Sequence, residues 1–497
     1  MARNGGVRGG SSRSVQADSR RLPPEVWSVA IVLILGTFMA ILDTTIVNVA
    51  LEPLTRDLHT KLVTIQWVVT GYLLSIAAVI PLCGWLTRRV GPKPVYLVSM
   101  VVFTVGSACC GLAHSVGELI GFRVLQGLGG GVIAPVGQMI LVKVSGPRNL
   151  PRVMSAYGVP TILAPIFGPT VGGLLIVHAG WRAIFFVNVP IGIVAVVMGL
   201  RKLPDEARRP GEPIDFFGLA LIGAGLVGVT YGLSQVSVPG SASLRVALPI
   251  SLGVVLMTGF VLRSLRVKFP LLDMRLYANK VFSRASIATF GLGGALTGNS
   301  VLMPLYLQGV RGENALNTGL LCAPRGFGAL VGTWLSGRMM ERLGTGRTAA
   351  IGVSLVLLLT CPYIPLGAHT SYLYICVVMV LQGFGIGLSI MPAQTAAYRA
   401  LRPEQIPDAT PQQNIVMRVG SSIGTAILIA VLSHGLAKAG ASAPAQASAF
   451  GVTYVWLVGI SAVALVAAVY LNILERRQPA VVNEEPVDLG ELQAEIG

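Results

Sequence analysis

An acidic residue lies deep inside one of the long apolar segments of this sequence. Asp43 stands in the stretch 41–49 and is the only acidic residue well inside any of these segments. Insertion scales put the cost of an Asp at the centre of a membrane helix at roughly 2.5–3.5 kcal/mol, so Asp43 needs a partner, a wet cavity or a bound proton. A carboxyl group in this position can bind and release protons. Thr44 and Asn48, one helical turn apart, extend a polar patch beside it.

Arg123 is the side chain that we expect to pair with Asp43. With a rise of about 1.5 Å per residue, Asp43 lies about 12 Å from the outer end of its helix near Leu51. Arg123 lies about 8 Å from the outer end of another helix near Glu118, so the two side chains share a similar depth. The arginine favours the charged carboxylate, whereas loss of water favours the protonated form. A change of conformation that alters this balance moves a proton; a static structural ion pair is the alternative.

The composition requires lipid as the solvent around these residues. Hydrophobic residues make up 53% of the 497 positions and charged residues 12%, whereas soluble proteins carry about 25% charged residues. The mean hydropathy is +0.72. So few charged groups do not cover a water-facing surface, which excludes a water-soluble enzyme.

Fourteen apolar runs are long enough to cross about 30 Å of hydrocarbon as helices. They lie at about 27–51, 63–83, 94–113, 118–142, 154–177, 182–200, 215–235, 245–262, 285–308, 316–337, 348–367, 372–395, 415–436 and 452–473. The fold class is therefore all-α integral membrane, and an even number of spans places both termini on one side.

The basic residues indicate the orientation of these helices. About 28 Lys and Arg residues fall in the tails and in the connectors on the side of the tails, against 6 in the opposite connectors. This bias predicts that both termini are cytoplasmic. The formal net charge of +16 thus reflects membrane topology and does not indicate a nucleic-acid partner.

The chain contains two copies of one unit. Residues 125–131 recur as 381–387, and residues 84–91 recur as 337–344, with an offset of about 255 positions. Two parallel six-helix halves indicate a transporter that alternates access around a central cavity. The predicted segments are a disordered basic tail at 1–25, an N-terminal half at 26–200, two inserted membrane helices with loops at 201–284, a C-terminal half at 285–474 and an acidic tail at 475–497.

The other reactive side chains do not suggest a metal or catalytic site. The five His residues fall near the predicted outer surface without an HxxxH pair, and the six Cys residues lack CxxC spacing and are interpreted as packing residues. No nucleophile–base set or phosphate-binding loop indicates an enzyme, and we expect no cofactor. Two cations, Arg325 and Arg418, stand near helix ends; reaching to a surface explains Arg418 without a function, and spacing does not fix the position of Arg325.

Several motifs together resemble the fourteen-helix drug:proton antiporters of the major facilitator superfamily, across about residues 25–475. They are the first-helix stretch around Asp43, the inside loop, Arg123 with Gln126 and Gly127, the proline- and glycine-rich stretch 164–173, and the stretch 181–190. The inside loop contributes Gly84, Arg88, Arg89, Gly91 and Lys93, and its second copy contributes Glu341 and Arg342. The family has an acid where this chain has Arg88, whereas the second copy keeps Glu341.

The stretch 164–173 is a candidate hinge. Its prolines remove backbone donors and its glycines, with Gly168, Pro169, Gly172 and Gly173 at their centre, allow a neighbouring helix to approach closely. Ordinary tight packing is the alternative, and the residues alone do not decide between the two.

The resemblance implies export of small amphipathic or cationic toxic compounds against an inward flow of protons, from the bacterial cytoplasmic membrane. Its partners are the lipid bilayer and the exported molecules; whether a periplasmic adaptor protein continues the path is left open. An exporter of one metabolite, siderophore or lipid is the alternative, and a membrane receptor without transport is a third hypothesis. Polar and aromatic residues expected to face the cavity are Asn48, Trp67, Tyr72, Gln126, Asn299, Tyr306, Gln308, Gln394 and Asn414.

Overall fold

The computed structural model describes residues 23–206, 213–235, 243–440 and 442–477. Most of the predicted basic tail at 1–25 and of the acidic tail at 475–497 lies outside the described residues, and so do Arg208 and Arg209 of the connector after the first half.

The described residues form helices joined by short connectors. The α-helices are α1 Pro24–Asp57, α2 Leu62–Ile65, α3 Trp67–Val79, α4 Cys83–Val90, α5 Pro92–Leu112, α6 Val116–Ala179, α7 Ala183–Phe186, α8 Asn188–Lys202, α9 Phe216–Gln235, α10 Ser243–Arg266, α11 Lys280–Gly309, α12 Ala315–Leu343, α13 Thr345–Thr360, α14 Tyr372–Gly387, α15 Ile390–Arg399, α16 Ile406–Ala439 and α17 Ala443–Arg477. Single 3₁₀ turns lie at Ile80–Leu82, Met274–Ala278, Cys361–Tyr363 and Pro403–Gln405.

The fourteen predicted runs coincide with these helices, but fewer helices meet a strict test of length and apolarity. Within the described residues, 11 helices are long and apolar enough to cross a membrane. One of them belongs to α6, which carries two predicted runs and breaks at Gly146, where the backbone has a φ of 63°. The helices α11 and α12 are 30 and 29 residues long but are not among the eleven, since each contains five Gly residues together with polar and charged residues that lower its mean hydropathy. The number of fourteen spans stays a prediction.

Glycines allow helices of each half to touch backbone to backbone. A Cβ atom on Gly129 of α6 would lie 2.6 Å from the Ser99 carbonyl oxygen and from the Phe103 amide nitrogen of α5. The repeat-related Gly385 of α14 makes a similar but less close contact with α13, where a Cβ would be 3.0 Å from the Val356 amide nitrogen. In lipid no hydrophobic force drives two helices together, so their association depends on close van der Waals packing. Small residues such as Gly allow this close approach.

The two helices between the halves pack against each other and against the N-terminal half. Gly253 of α10 approaches the backbone of α9, where a Cβ would lie 2.8 Å from the Gly225 carbonyl oxygen. Asp215, just before α9, pairs with Arg263 of α10 at 2.8 Å. The ring of Tyr231 on α9 stacks on Trp67 of α3 with 5.9 Å between centroids, so α9 lies beside the second membrane helix.

Replacing Gly129 by Ala should lower the thermal stability of the purified protein in detergent. The added methyl group meets backbone atoms that cannot rotate away, and overpacking of this kind costs about 1–3 kcal/mol. Gly121→Ala is the matched control on the same helix, because nothing lies within 4 Å of its Cβ position. Equal melting temperatures for the two variants would show that α5 and α6 are not in backbone contact at this point.

Candidate functional site

The carboxylate of Asp43 is buried and bound by three donors from two other helices. Arg123 Nη1 of α6 donates to Oδ2 at 2.6 Å, and Gln126 Nε2 of the same helix donates to Oδ1 at 2.9 Å. Asn188 Nδ2, at the start of α8, donates to Oδ1 at 2.9 Å. All four side chains are at most 1% exposed. The structure thus joins Asp43 and Arg123, which the sequence placed at similar depth.

The guanidinium group of Arg123 is held on every side. Its Nε donates to the Val68 carbonyl oxygen at 3.2 Å, and Nη1 also contacts Gln126 Oε1 at 2.8 Å. The ring of Tyr72 lies over the guanidinium carbon at 4.1 Å. A buried charge is tolerated only where it is paired and hydrogen-bonded, and this arginine meets both conditions.

Asn188 is a member of the site that the sequence analysis did not single out. Besides Asp43, its Nδ2 donates to Ser107 Oγ at 3.1 Å, while its Oδ1 is buried without a hydrogen-bond partner among the described residues. The sequence held one indication of this role: Asn188 is a polar residue inside an apolar run, and it lies in the stretch 181–190 that resembles the family. A buried acceptor without a partner, beside a titratable carboxyl group, can accept a hydrogen bond from the O–H of that group when it is protonated.

The C-terminal half contains a related arrangement in which neutral side chains stand at the positions of Asp43 and Arg123. Asn299 stands 256 positions after Asp43, and Gln382 stands 256 positions after Gln126; these two amides are hydrogen-bonded to each other. Tyr454 donates to Asn299 Oδ1 at 3.2 Å, much as Asn188 donates to Asp43. The position that corresponds to Arg123 is the buried Met379. Both charged members of the site have neutral counterparts, so within the described part of the chain this buried Asp–Arg pair is not repeated at the corresponding positions of the second half.

The predicted cavity residues fall into separate groups. Tyr72 and Gln126 belong to the Asp43 site, and Asn299 belongs to its neutral copy. Tyr306 donates to the Gly367 carbonyl oxygen at 2.6 Å inside the C-terminal half. Gln308 is exposed near the end of α11.

Two further candidates contact nearby residues of the N-terminal half and the inserted helices. Asn48 donates to the Thr44 carbonyl oxygen at 3.1 Å on its own helix and is exposed. Trp67, 40% exposed, stacks on Tyr231 of the inserted helix α9.

The last two candidates, Gln394 and Asn414, lie where the halves meet. Asn414 Nδ2 donates to Gln138 Oε1 at 2.9 Å, and Gln138 Nε2 donates to Gln394 Oε1 at 3.4 Å. The Tyr398 hydroxyl also donates to Gln138, at 3.3 Å. Gln138 comes from the N-terminal half and the other three from the C-terminal half. We call these four residues the midline cluster.

Ion pairs join the halves at the end of the bundle that carries the basic loops, which we call the basic end. Arg88 Nη1 lies 2.7 Å from Asp408 Oδ1, with 12% and 15% of the two side chains exposed. Arg152 pairs with Glu341, with Nη2 donating to Oε2 at 2.9 Å. The sequence indicated Arg88 and Glu341 but not their partners, which lie 320 and 189 positions away.

The other loop residues complete the basic end. Gly84 abuts the partner segment, since a Cβ there would lie 2.9 Å from the Pro407 carbonyl oxygen. Gly91 and the repeat-related Gly344 end their helices with φ values of 97° and 89°, which only Gly adopts without strain. Lys93 pairs with Asp205 at 3.0 Å.

The two remaining loop arginines differ in their surroundings. Arg89 lies over the Trp85 ring at 5.3 Å, and Arg342 is exposed.

The stretch 164–173 packs against the helix that carries Asp43. Gly168 touches the Thr45 side chain, and a Cβ on Gly172 would lie 3.2 Å from the Ile46 side chain. Gly173 faces open space and Pro169 is exposed. Gly168 and Gly172 are therefore closely packed in this conformation, against residues of α1 that lie two and three positions after Asp43.

The described residues offer no candidate metal centre. Among them, no group of three or more His, Cys, Asp and Glu side chains could hold a metal ion.

Comparison with known proteins identifies the family. Residues 33–425 match the family model described as Major Facilitator Superfamily. A protein named multidrug resistance protein B homolog from Mycobacterium tuberculosis is 35% identical over 418 residues, which cover 83% of this chain and 77% of that protein. The tetracenomycin C resistance and export protein of Streptomyces glaucescens is 30% identical over 404 residues, covering 81% and 75%.

The fold also matches solved structures of this superfamily. The proton:xylose symporter XylE superposes with a TM-score of 0.61 over 91% of this chain and 96% of that chain, at 12% identity. At this identity the likeness shows the fold alone.

Changing Asp43 to Asn together with Arg123 to Met should give a more stable protein than either change alone. Each single variant leaves one buried group without its partner, which costs about 3–5 kcal/mol for a broken buried ion pair. The double variant carries the neutral residue types found at positions 299 and 379. Thermal unfolding of the three purified variants checks this; a double variant no more stable than the weaker single would mean that the two groups do not depend on each other.

Proposed function

Because the chain belongs to the major facilitator superfamily, and is a multi-pass membrane transporter and not an enzyme, we propose that it is a multidrug efflux antiporter. It exports small amphipathic or cationic compounds in exchange for protons, by alternating access. The observation that carries the proposal is Asp43, a carboxylate buried among helices α1, α6 and α8 and bound by three donors. The names of the two relatives, multidrug resistance protein B homolog and tetracenomycin C resistance and export protein, support export of toxic compounds.

The proposed orientation places the basic end in the cytoplasm, with fourteen membrane spans and both termini inside. The excess of Lys and Arg at this end supports it. The relatives named above are bacterial, which supports the cytoplasmic membrane of a bacterium as the location. The lipid bilayer and the exported molecules are then the partners, and protons are the coupling ion.

A proton on Asp43 must rearrange the site. The neutral carboxyl group no longer compensates the charge of Arg123, and its new O–H needs an acceptor, while all three present neighbours are donors. Rotation of the Asn188 amide would turn its unpartnered Oδ1 towards Asp43 and supply that acceptor. Protonation thereby loosens α1 from α6 and changes the contact with α8, and loss of the proton restores them.

The proposed gate is at the basic end, where this conformation is closed. The pairs of Arg88 with Asp408 and of Arg152 with Glu341 hold the halves together there, and the midline cluster lies behind them. Opening towards the cytoplasm requires both ion pairs to break. This chain has Arg88 where the family has an acid, and the substitution is consistent with this role because Asp408 of α16, in the other half, supplies the opposite charge.

The alternative is a dedicated exporter of one compound. The relative named for tetracenomycin C supports it, since a related chain is named for a single molecule. Both hypotheses use the same coupling site, and they differ in the range of cargo.

Asp43→Asn should abolish proton-driven export by proteoliposomes containing the purified protein, because an amide cannot gain and lose the coupling proton. The measurement is accumulation of ethidium driven by an imposed pH gradient. Glu52→Gln is the control on the same helix: Glu52 is an exposed carboxylate paired only with Arg56, at 3.5 Å, and its replacement should leave transport unchanged.

Ethidium binding by the Asp43→Asn protein separates loss of coupling from loss of folding. Binding retained with transport lost is the expected result. Export by this variant at the wild-type rate, with the same dependence on the pH gradient, would reject Asp43 as the coupling residue.

Reversing one charge of the Arg88–Asp408 pair should open the basic end, and reversing both should close it again. The variants are Arg88→Asp, Asp408→Arg and the double variant. A partly exposed pair contributes about 1 kcal/mol, so each single variant should raise the labelling rate about fivefold.

The labelling site is a cysteine at position 155. Ser155 is buried between the halves, where it contacts Thr333, and a membrane-impermeant maleimide applied to inside-out vesicles reports its exposure. Equal labelling in all variants would show that this pair does not hold the gate.

A further inference from the structure

Two arginines in the C-terminal half have no carboxylate partner. Within the described chain, neither Arg325 nor Arg418 forms an ion pair, whereas Arg88, Arg123 and Arg263 each pair with an Asp. A guanidinium group inside a membrane protein is costly unless it is paired or serves a water-filled path, and it is a functional candidate by default.

Arg418 points towards the N-terminal half. It lies one helical turn after Asn414 on α16, so it shares the face by which Asn414 contacts Gln138. Its side chain is exposed, and it is close enough to Tyr72 of α3 to interact with it electrostatically. Tyr72 is the ring that covers Arg123. Arg418 therefore borders a space between the halves. This space lies farther from the basic end than the midline cluster does.

Arg325 extends from α12 to the neighbouring helix α11. From α12 its Nη1 donates to Ser300 Oγ at 2.9 Å and its Nη2 donates to the Leu296 carbonyl oxygen at 3.0 Å, both on α11. Ser300 is exposed, so the guanidinium reaches an accessible surface. Helix α11 also packs on α16, where Thr297 approaches the Ser421 carbonyl oxygen at 3.4 Å.

The internal repeat explains why nothing in the chain neutralises Arg325. The backbone of Arg325 contacts Gly383, and in the first half the backbone of Tyr72 contacts the repeat-related Gly127. Arg325 is therefore the counterpart of Tyr72 in the second half. The acid of the first half, Asp43, corresponds there to the neutral Asn299. The second half thus keeps an arginine beside its copy of the site and lacks the carboxylate.

We propose that Arg418 and Arg325 recognise the anionic group of an exported molecule, a carboxylate or phenolate on an amphipathic body. The inference rests on the proposed export function and narrows its substrate class: Asp43 is already neutralised by Arg123, so the two arginines make the space between the halves bind an anionic group more tightly than a cationic one. Arginine binds carboxylates through paired N–H donors, and Arg418 has these donors free of other described partners.

The test is equilibrium binding of two xanthene dyes of similar shape and opposite charge to the purified full-length protein in detergent. Fluorescein is the anionic probe and rhodamine 123 the cationic probe, and fluorescence anisotropy gives the dissociation constants. We expect tighter binding of fluorescein by the wild-type protein. Arg418→Gln should weaken fluorescein binding at least about tenfold, as expected for a lost charged hydrogen bond, and Arg325→Gln should weaken it less.

Two further variants serve as controls. Arg418→Lys keeps the positive charge and should retain most of the fluorescein binding. Arg284→Gln removes an arginine that stacks on Tyr470 at the basic end of α11, and it should bind both dyes like the wild type. Rhodamine 123 binding should stay equal or improve in Arg418→Gln, which excludes general unfolding.

Binding and transport are measured separately, so that the two proposals fail in different ways. Fluorescein binding that is unchanged in Arg418→Gln, or wild-type preference for rhodamine 123, overturns the anion site even where pH-driven dye export is present. Anion binding that depends on Arg418, without export of either dye under a pH gradient, supports the site and overturns the export function. Displacement of fluorescein by inorganic phosphate or by anionic lipid at equal concentration would show a general anion site and reject the amphipathic substrate.

Discussion

The contact between Asp43 and Arg123 is the interaction on which the rest of the structure depends. Two opposite charges in a dry interior are tolerated only if the charged groups themselves are paired and hydrogen-bonded. This requirement accounts for the amides of Gln126 and Asn188, the carbonyl of Val68 and the ring of Tyr72 around the pair. It also joins three helices of one half at a single carboxylate. A change in the protonation of that carboxylate therefore alters contacts among all three.

The all-helical architecture could be predicted from the sequence because length and apolarity are local properties, whereas the number of fourteen membrane spans stays a prediction. Counting residues from helix ends also placed Arg123 beside Asp43, since depth along a straight helix follows from its rise. Other features depend on how the helices are arranged around one another, which spacing along one helix does not give. Asn188 carries no charge to distinguish it from a packing residue, and Asp408 meets Arg88 across 320 positions. For the same reason the nine predicted cavity residues were grouped together, although the structure separates Gln126, Tyr306 and Gln394 into different surroundings.

The two halves use one scaffold for different purposes. Glycines at repeat-related positions, such as Gly129 and Gly385, set the same close helix contacts in both. The polar residues that those contacts bring together differ: a charged pair in the first half, hydrogen-bonded amides in the second, and an arginine in place of Tyr72. Packing residues thus preserve the shared architecture, while a few buried polar positions give each half its own electrostatic character.

This division has a consequence for how such a chain can change over generations. Asp and Asn codons differ by one base, and the Arg codon AGG differs by one base from the Met codon, so as few as two base changes separate the residue types at 43 and 123 from those at 299 and 379. The surrounding hydrogen-bond partners, Gln382 and Tyr454, are already in place in the neutral copy. A lineage with this architecture could gain or silence a titratable centre through two point mutations, without redesigning the helices that enclose it.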